Sequence, residues 1–163
     1  MRGARVQGGV ARLFSKGDLQ DDPKGVDVVV ERLKKVSPKA EAAGVFLGIE
    51  SLLSAEDHLA IIERVGSPNV KVYYDVGNST AQGYDIYREI RDLGSEHLCE
   101  FHAKDGDSLF GEGKVDFPKV RQAMDAIGYR GWIQIEGAKP KGLMESYTAD
   151  LRYLRGIFPP HVG

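Results

Sequence analysis

Four short apolar stretches each end in a polar side chain of a kind that binds metal ions. VFLGIE ends at Glu50, VYYD at Asp75, LCEFH at His102 and WIQIE at Glu136. Each interval between these residues is about the length of one strand, one covering helix and two loops in a repeated β/α unit. The C-terminal ends of the parallel strands in such a repeat meet at one rim, where β/α barrels keep their chemistry. Two glutamates, one aspartate and one histidine at that rim predict a site for a divalent metal ion.

Helical patterns alternate with these strands. Asp22-Pro23 is typical of a helix start, and apolar residues then recur at helical spacing up to Gly44, with a kink expected near Pro38. The segment Ser54-Ala55-Glu56-Asp57 has the form of a capping box and predicts a second helix, which ends at Gly66. The chain therefore places a helix before and after the first strand.

The remaining units repeat this order. One helix is predicted to follow the second strand and to end at Gly94. The third strand opens into a polar, glycine-rich stretch from Lys104 to Lys114, which is long enough to cover a ligand. Asp116 is expected to cap the next helix, and the last helix is predicted from Met144 to Ile157. These patterns predict four consecutive β/α units.

The predicted fold class is α/β, a partial (β/α)8 TIM barrel with parallel strands. A closed barrel of eight units typically needs about 250 residues, whereas this chain has 163. We therefore predict about the last four units of a barrel. Residues 1–21 are expected to form an irregular segment, and residues 22–163 the C-terminal half-barrel.

Composition indicates a globular protein that acts on small molecules. Hydrophobic residues make up 42% of the chain and charged residues 28%, without an apolar run of membrane-spanning length. A formal net charge of -2 argues against nucleic acid as the main partner. The N-terminus shows no apolar segment of signal-peptide length, so a cytoplasmic location with no membrane partner is expected.

Strand alternation assigns faces to further residues. Glu100 shares a face with His102, and Gln134 shares one with Glu136, so both either orient the metal ligands or face a solvent-filled cavity. The single cysteine, Cys99, is expected on the opposite face from His102 with a packing role. Three histidines lack a partner pattern and are expected at the surface: His58, His97 and His161.

Residues 42–137 resemble the sugar isomerases and epimerases that have a xylose-isomerase-like barrel. The resemblance depends on an ordered set of motifs: GVFLGIE, YYDVGN, HAKD at 102–105, GEGKVDF at 111–117 and GYRGWIQIE at 128–136. The DVGN motif and the segment from HAKD to GEGKVDF look most like the L-ribulose-5-phosphate or L-xylulose-5-phosphate 3-epimerases. The resemblance implies a metal-dependent sugar or sugar phosphate epimerase.

The same resemblance implies roles for the candidate residues. Glu50, Asp75, His102 and Glu136 would bind one divalent cation, and the two glutamates would act as general base and general acid in 3-epimerisation through an ene-diolate. Mn²⁺ is favoured, while Mg²⁺, Co²⁺ and Zn²⁺ stay open because the donors are mostly oxygen with one imidazole. Four residues are assigned to substrate binding: Asn78, Lys104, Asp105 and Glu112. Asn78 has helix capping as its alternative.

Phosphate recognition has two readings. Three lysines lie in loops after the last two strands, the region where barrels often bind phosphate, or they are simply solvated: Lys114, Lys139 and Lys141.

A half-barrel leaves three interpretations of function open. Its strand edges and apolar inner face predict either a homo-oligomer or pairing with a missing N-terminal half-barrel. A non-catalytic binding module is the first alternative to an epimerase. A relative of the apurinic-site endonucleases is less favoured, because Asn78 stands where their metal site would need a histidine and no basic groove is evident.

Overall fold

The computed structural model describes residues 23–158 as four strands alternating with helices. The strands are β1 (Leu47–Ile49), β2 (Val70–Asp75), β3 (Leu98–Ala103) and β4 (Trp132–Ile135). The helices are α1 (Pro23–Ala43), α2 (Ala55–Val65), α3 (Val76–Gln82), α4 (Ile86–His97), α5 (Phe117–Ala126) and α6 (Leu143–Ile157). The predicted irregular segment 1–21 and the helix start at Asp22 lie outside the described residues.

The sheet has the order β1-β2-β3-β4, and every neighbouring pair is parallel. Helical segments connect each strand to the next, as consecutive parallel strands require. Four successive β/α units are the predicted partial barrel, and this prediction of the fold class is confirmed. Within residues 23–158, β1 and β4 are the edge strands.

One face of the sheet packs against the helices. Val72, Tyr74 and Phe101 are almost fully buried there with apolar residues of α4 and α5. A second apolar cluster joins α1 and α2 to the sheet through Ile49 and Val70. Alternate residues of the same strands therefore point to the other face, which carries the candidate site.

Helix caps confirm most of the predicted boundaries. The hydroxyl of Ser54 accepts a hydrogen bond from the Asp57 N–H at 3.1 Å, as the capping box predicts, and α2 ends at Gly66 in a left-handed conformation. Asp116 caps α5 by accepting from the Lys119 N–H. Helix α1 continues through Pro38, so the kink expected there does not end it.

The segment after β2 differs from the single helix predicted there. Helix α3 begins directly after β2, because the Asp75 carboxylate accepts from the N–H groups of Gly77 and Asn78 and so caps it. Gly83 ends this helix with φ 84°, and α4 follows. Periodicity could not detect α3, since seven residues provide only about two helical turns.

Cys99 lies on a different face from the one predicted. Val72 pairs with Leu98 and Tyr73 with Glu100, so Cys99 is an extra residue that shifts the alternation of β3. A Cβ atom placed on Gly48 would lie 3.0 Å from the Cys99 sulfur and 3.1 Å from the Tyr73 Cβ. Tyr73 stacks on His102, so the sulfur is on the same face as that imidazole. Burial raises the pKa of the Cys99 thiol to about 11, which fits packing better than reactivity.

Candidate metal centre

The four predicted ligands come together at the C-terminal rim of the sheet. Asp75 ends β2 and pairs in register with His102 of β3, while Glu50 and Glu136 directly follow β1 and β4. A hydrogen bond from the Glu136 N–H to the Ala103 carbonyl continues the pairing to the rim. One ligand atom from each of the four side chains lies within 4.8 Å of every other. The convergence expected from parallel strands is thus present in the geometry.

The imidazole of His102 is at the centre of three carboxylates. Its Nδ1 atom is 3.1 Å from Glu50 Oε1, 3.1 Å from Glu136 Oε2 and 3.9 Å from Asp75 Oδ2. Asp75 Oδ2 is buried and has no hydrogen-bond partner within the described part of the chain. A buried carboxylate oxygen without a donor is costly unless a cation satisfies it. The donor set and this oxygen both fit a divalent metal ion.

Burial and neighbouring charges shift the pKa values of Asp75 and His102. Burial raises the pKa of Asp75 to about 6, and the charge of Glu136 adds to this, against the Asn78 N–H, Lys104 and His102, which lower it. Burial lowers the pKa of His102, but its hydrogen bond to Glu50 and the neighbouring carboxylates outweigh burial, so the pKa is raised overall. Asp75 and His102 therefore hold their protons more tightly than usual, and a bound cation would displace those protons.

Lys104 is the member of the predicted substrate-binding set with side-chain contacts to the cluster. Its Nζ atom lies 3.3 Å from Glu136 Oε1 and 3.7 Å from Asp75 Oδ2. The side chain is about one quarter exposed, so the ammonium group contacts the carboxylates and is also accessible to solvent. A cation there offsets part of the negative charge of the site.

Among the residues that the structure describes, the side chains of the other three residues predicted to bind substrate form no hydrogen bond or ion pair with the four predicted metal ligands. The main-chain N–H of Asn78 donates to Asp75 Oδ1 at 2.8 Å, so Asp75 is the residue that caps α3, and the capping role considered for Asn78 is wrong. Asp105 is buried, and its Oδ1 atom accepts from the N–H groups of Lys114 and Val115, so it holds the glycine-rich loop closed. Glu112 is exposed in that loop. Substrate binding by these residues stays a prediction.

The lysines considered for phosphate binding have exposed side chains: Lys114, Lys139 and Lys141.

Tyr73, which was not predicted as part of the site, contacts Gln134 and lies near Glu100. The hydroxyl of Tyr73 donates to Gln134 Oε1 at 2.9 Å, and burial, together with the charge of nearby Glu100, raises the pKa of Tyr73. The Tyr73 ring lies on the imidazole of His102, with 4.2 Å between the ring centroids. Gln134 therefore contacts the tyrosine whose ring lies against His102, and the orienting role of Glu100 and Gln134 stays a prediction. The alternation rule could have identified Tyr73, because it stands two residues before Asp75.

His58 corrects another expectation. It was predicted at the surface, but it is only 3% exposed and faces the sheet from α2. Helical spacing gives the reason, because His58 shares the inward face of α2 with Ile61 and Val65. His97 is partly exposed, and His161 lies outside the described residues.

Within residues 23–158, none of the helices combines the length and apolar character needed to cross a membrane.

Comparisons by sequence find relatives that act on sugars. The Xylose isomerase-like TIM barrel family matches residues 3–157 of the chain. An L-ribulose 3-epimerase of Mesorhizobium japonicum is 28% identical over 138 residues, which are 77% of this chain and 45% of that protein. A putative L-ribulose-5-phosphate 3-epimerase of Escherichia coli is 36% identical over 86 residues, which are 45% of this chain and 30% of that protein. The chain spans less than half the length of these curated relatives.

A comparison by structure gives the same architecture. The crystal structure of a D-psicose 3-epimerase from Clostridium cellulolyticum, solved with D-tagatose, matches with a TM-score of 0.67 and 25% identity. The match covers 82% of this chain and 50% of the other. The described fold is therefore similar to about half of that protein.

Proposed function

Because the chain belongs to the Xylose isomerase-like TIM barrel family, we propose that it provides the metal-binding half of a sugar 3-epimerase. The membership confirms the family resemblance read from the motifs. The observation that carries the proposal is the convergence of Glu50, Asp75, His102 and Glu136 within 4.8 Å of one another. The names of the relatives add the substrate class, a ketose or ketose phosphate.

The residues of this cluster would hold one divalent cation, for which Mn²⁺ is the favoured identity. Three carboxylates provide the oxygen donors that Mn²⁺ and Mg²⁺ prefer, and the imidazole of His102 also suits Co²⁺ and Zn²⁺. A cation bound there would supply positive charge beside the substrate oxygens, which would stabilise the negative charge that develops on them when a neighbouring C–H proton is removed.

The proton transfers fall to Glu50 and Glu136. Both carboxylates lie 3.1 Å from His102 Nδ1, and they come from the two edge strands, so they flank the centre from opposite sides. One takes the proton from C3 of the ketose as general base, and the other gives a proton to the opposite side of C3 as general acid. The configuration at C3 is thereby inverted. The handedness of the sugar decides which glutamate takes the proton.

Lys104 complements this pair. Its ammonium group is 3.3 Å from Glu136 Oε1, where it can donate a hydrogen bond to a substrate oxygen. A charged donor at this position orients a sugar against the two glutamates.

The open side of the half-barrel requires a cover. Edge strands β1 and β4 leave the site open on the inner face, and a second copy of the chain or an N-terminal half-barrel would enclose the sugar there. The size of the assembly in solution, measured by light scattering on the purified chain, distinguishes these arrangements.

Deuterium exchange tests the proposed chemistry. The protein is incubated in D₂O with Mn²⁺ and a panel of ketoses and ketose phosphates, and deuterium at C3 is measured by NMR. We expect exchange with at least one sugar, its loss in Glu136→Gln, and its retention in Glu145→Gln, where the carboxylate lies in the exposed first turn of α6. Mn²⁺ binding without exchange on any sugar would favour a non-catalytic binding module instead.

A further inference from the structure

A buried imidazole lies behind the rim, next to the turn that follows β1. His58 is 3% exposed, and both of its ring nitrogens have partners. Its Nδ1 atom is 2.9 Å from the carbonyl oxygen of Ser54, and its Nε2 atom is 2.9 Å from the hydroxyl oxygen of Ser51. His58 thus connects helix α2 to the beginning of the turn.

The directions of these hydrogen bonds follow from the chemistry of the partners. A carbonyl oxygen only accepts, so Nδ1 carries the proton and donates to Ser54. Burial lowers the pKa of His58 to about 4, which keeps the ring neutral at pH 7 and leaves Nε2 as an acceptor. The Ser51 hydroxyl therefore donates to Nε2, while its oxygen accepts from the Leu53 N–H at 3.1 Å. The turn is fixed from both sides.

Glu50 needs such a fixed turn more than the other ligands do. Asp75 and His102 lie within strands and pair with each other in register. Strand β1 has only three residues and ends at Ile49, one residue before Glu50. The backbone at Glu50 is therefore held by the turn that begins at Ser51 and not by pairing with a neighbouring strand. Glu50 must nevertheless reach His102, where its Oε1 is 3.1 Å from Nδ1.

We propose that His58 is a positioning residue for the metal centre, which holds the carboxylate of Glu50 in place through the hydroxyl of Ser51. This inference rests on the proposed function, because it concerns the affinity of that same centre for a divalent cation. Partners that orient ligands contribute about 10- to 100-fold to metal affinity. The Ser51–His58 bond acts on the backbone next to the ligand, so we expect an effect at the lower end of this range.

Two substitutions separate the two bonds of His58. The amide nitrogen of asparagine reaches the position of Nδ1 and can keep the bond to Ser54, but it cannot reach Ser51. Glutamine places its amide at the position of Nε2 and keeps an acceptor for the Ser51 hydroxyl. If His58 only stabilised α2, both variants would lose metal affinity in proportion to their loss of stability.

The experiment measures Mn²⁺ affinity by calorimetry alongside thermal unfolding. We expect His58→Asn and Ser51→Ala to bind Mn²⁺ about tenfold more weakly, and His58→Gln to stay within about threefold of the unaltered protein. His97→Asn is the matched control, because the His97 ring also bonds a carbonyl one helical turn earlier, that of Leu93, without contacting the rim. Its Mn²⁺ affinity should not change.

Each outcome decides between the two proposals. Equal Mn²⁺ affinity in all variants would overturn the role of His58 and leave the metal centre intact. Absence of Mn²⁺ binding by the unaltered protein would overturn the proposed function and this inference together. If a His58 variant does not fold, Ser51→Ala and Ser51→Thr make the same comparison, since threonine keeps the hydroxyl. A ¹⁵N NMR spectrum showing the proton of His58 on Nε2 would also contradict the assignment.

Discussion

The two faces of the four-stranded sheet use the same strands for opposite purposes. In β2, Val72 and Tyr74 face the helices and are almost fully buried in an apolar cluster. The alternating residues Tyr73 and Asp75 face the other side, where polar groups and charges converge on His102. Strand alternation thus separates residues that stabilise the fold from residues that perform chemistry, one position apart.

The difference extends to the energy that each face contributes. Burial of apolar groups on the helix-facing side is favourable without any ligand. On the site-facing side, three carboxylates lie together and Asp75 Oδ2 has no hydrogen-bond partner among residues 23–158. Such an arrangement costs stability until a cation is bound. Substitutions on the two faces should therefore differ in size, and removal of a carboxylate charge from the site should have the opposite sign to removal of a buried apolar group.

The largest effect is expected on the helix-facing side. Phe101 is fully buried and packs edge-on against Tyr74 and Tyr129. Replacement by alanine leaves a cavity, so Phe101→Ala should lower the free energy of unfolding by about 3–5 kcal/mol. Urea unfolding of the metal-free protein measures this change. A loss below about 1 kcal/mol would show that this face is not the main source of stability.

A change of opposite sign is expected at Asp75. Its pKa is raised from 3.8 to about 6, so the folded state binds this proton more tightly than the unfolded state. The stability of the metal-free protein then falls as the pH rises from about 4 to 6, by on the order of 2 kcal/mol from this group. Asp75→Asn keeps a capping oxygen but removes the charge, and should be more stable than the unaltered protein at pH 7 in the presence of a chelator.

The pH comparison must use the difference between the two proteins, because His58 acts in the opposite direction. Its pKa is lowered to about 4, so its contribution to stability is present above pH 6.5 and is lost as the pH falls toward 4. This contribution is common to both proteins and cancels in the difference. A stability difference that does not change between pH 4 and 6 would contradict the charge repulsion at Asp75.

The smallest effects are expected when one tyrosine on each face of the sheet is replaced by phenylalanine. Tyr73→Phe removes a hydrogen bond to Gln134 and should cost about 1 kcal/mol. Tyr74→Phe removes the bond to Glu89 Oε2, a buried carboxylate, and should cost about 2 kcal/mol. The stacking of ring 73 on His102 is retained, so Mn²⁺ affinity should stay within about threefold. Thermal unfolding that ranks the two variants in the reverse order would reject this comparison.

The sequence was sufficient for the strands and their rim. Strand β2 follows from a local apolar run. The caps at Ser54 and Asp116 follow from a hydroxyl or carboxylate group three residues before the N–H group that it binds. The parallel arrangement then brought Glu50 and Glu136 to the same place, as the spacing predicted. Features with local causes were therefore predictable, and their repetition along the chain made the shared rim predictable too.

Contacts between elements could not be predicted in this way. Glu89 of α4 accepts from the Ala55 N–H of α2 at 2.8 Å, across 34 residues of sequence, and nothing near Glu89 in the chain indicates it. The bulge at Cys99 places this side chain on the opposite face from the one predicted. The bulge arises from the pairing of β3 with β2, and the sequence of β3 alone does not indicate it. The partners of His58 likewise depend on how α2 lies against the turn after β1.

Titration with Mn²⁺ of the metal-free protein tests the central claim, that one cation is bound by Glu50, Asp75, His102 and Glu136. Calorimetry should show one ion per chain, with affinity more than tenfold weaker in Glu136→Gln and His102→Ala and unchanged in Glu145→Gln. No binding by the unaltered protein, or equal binding by all four proteins, would contradict the account.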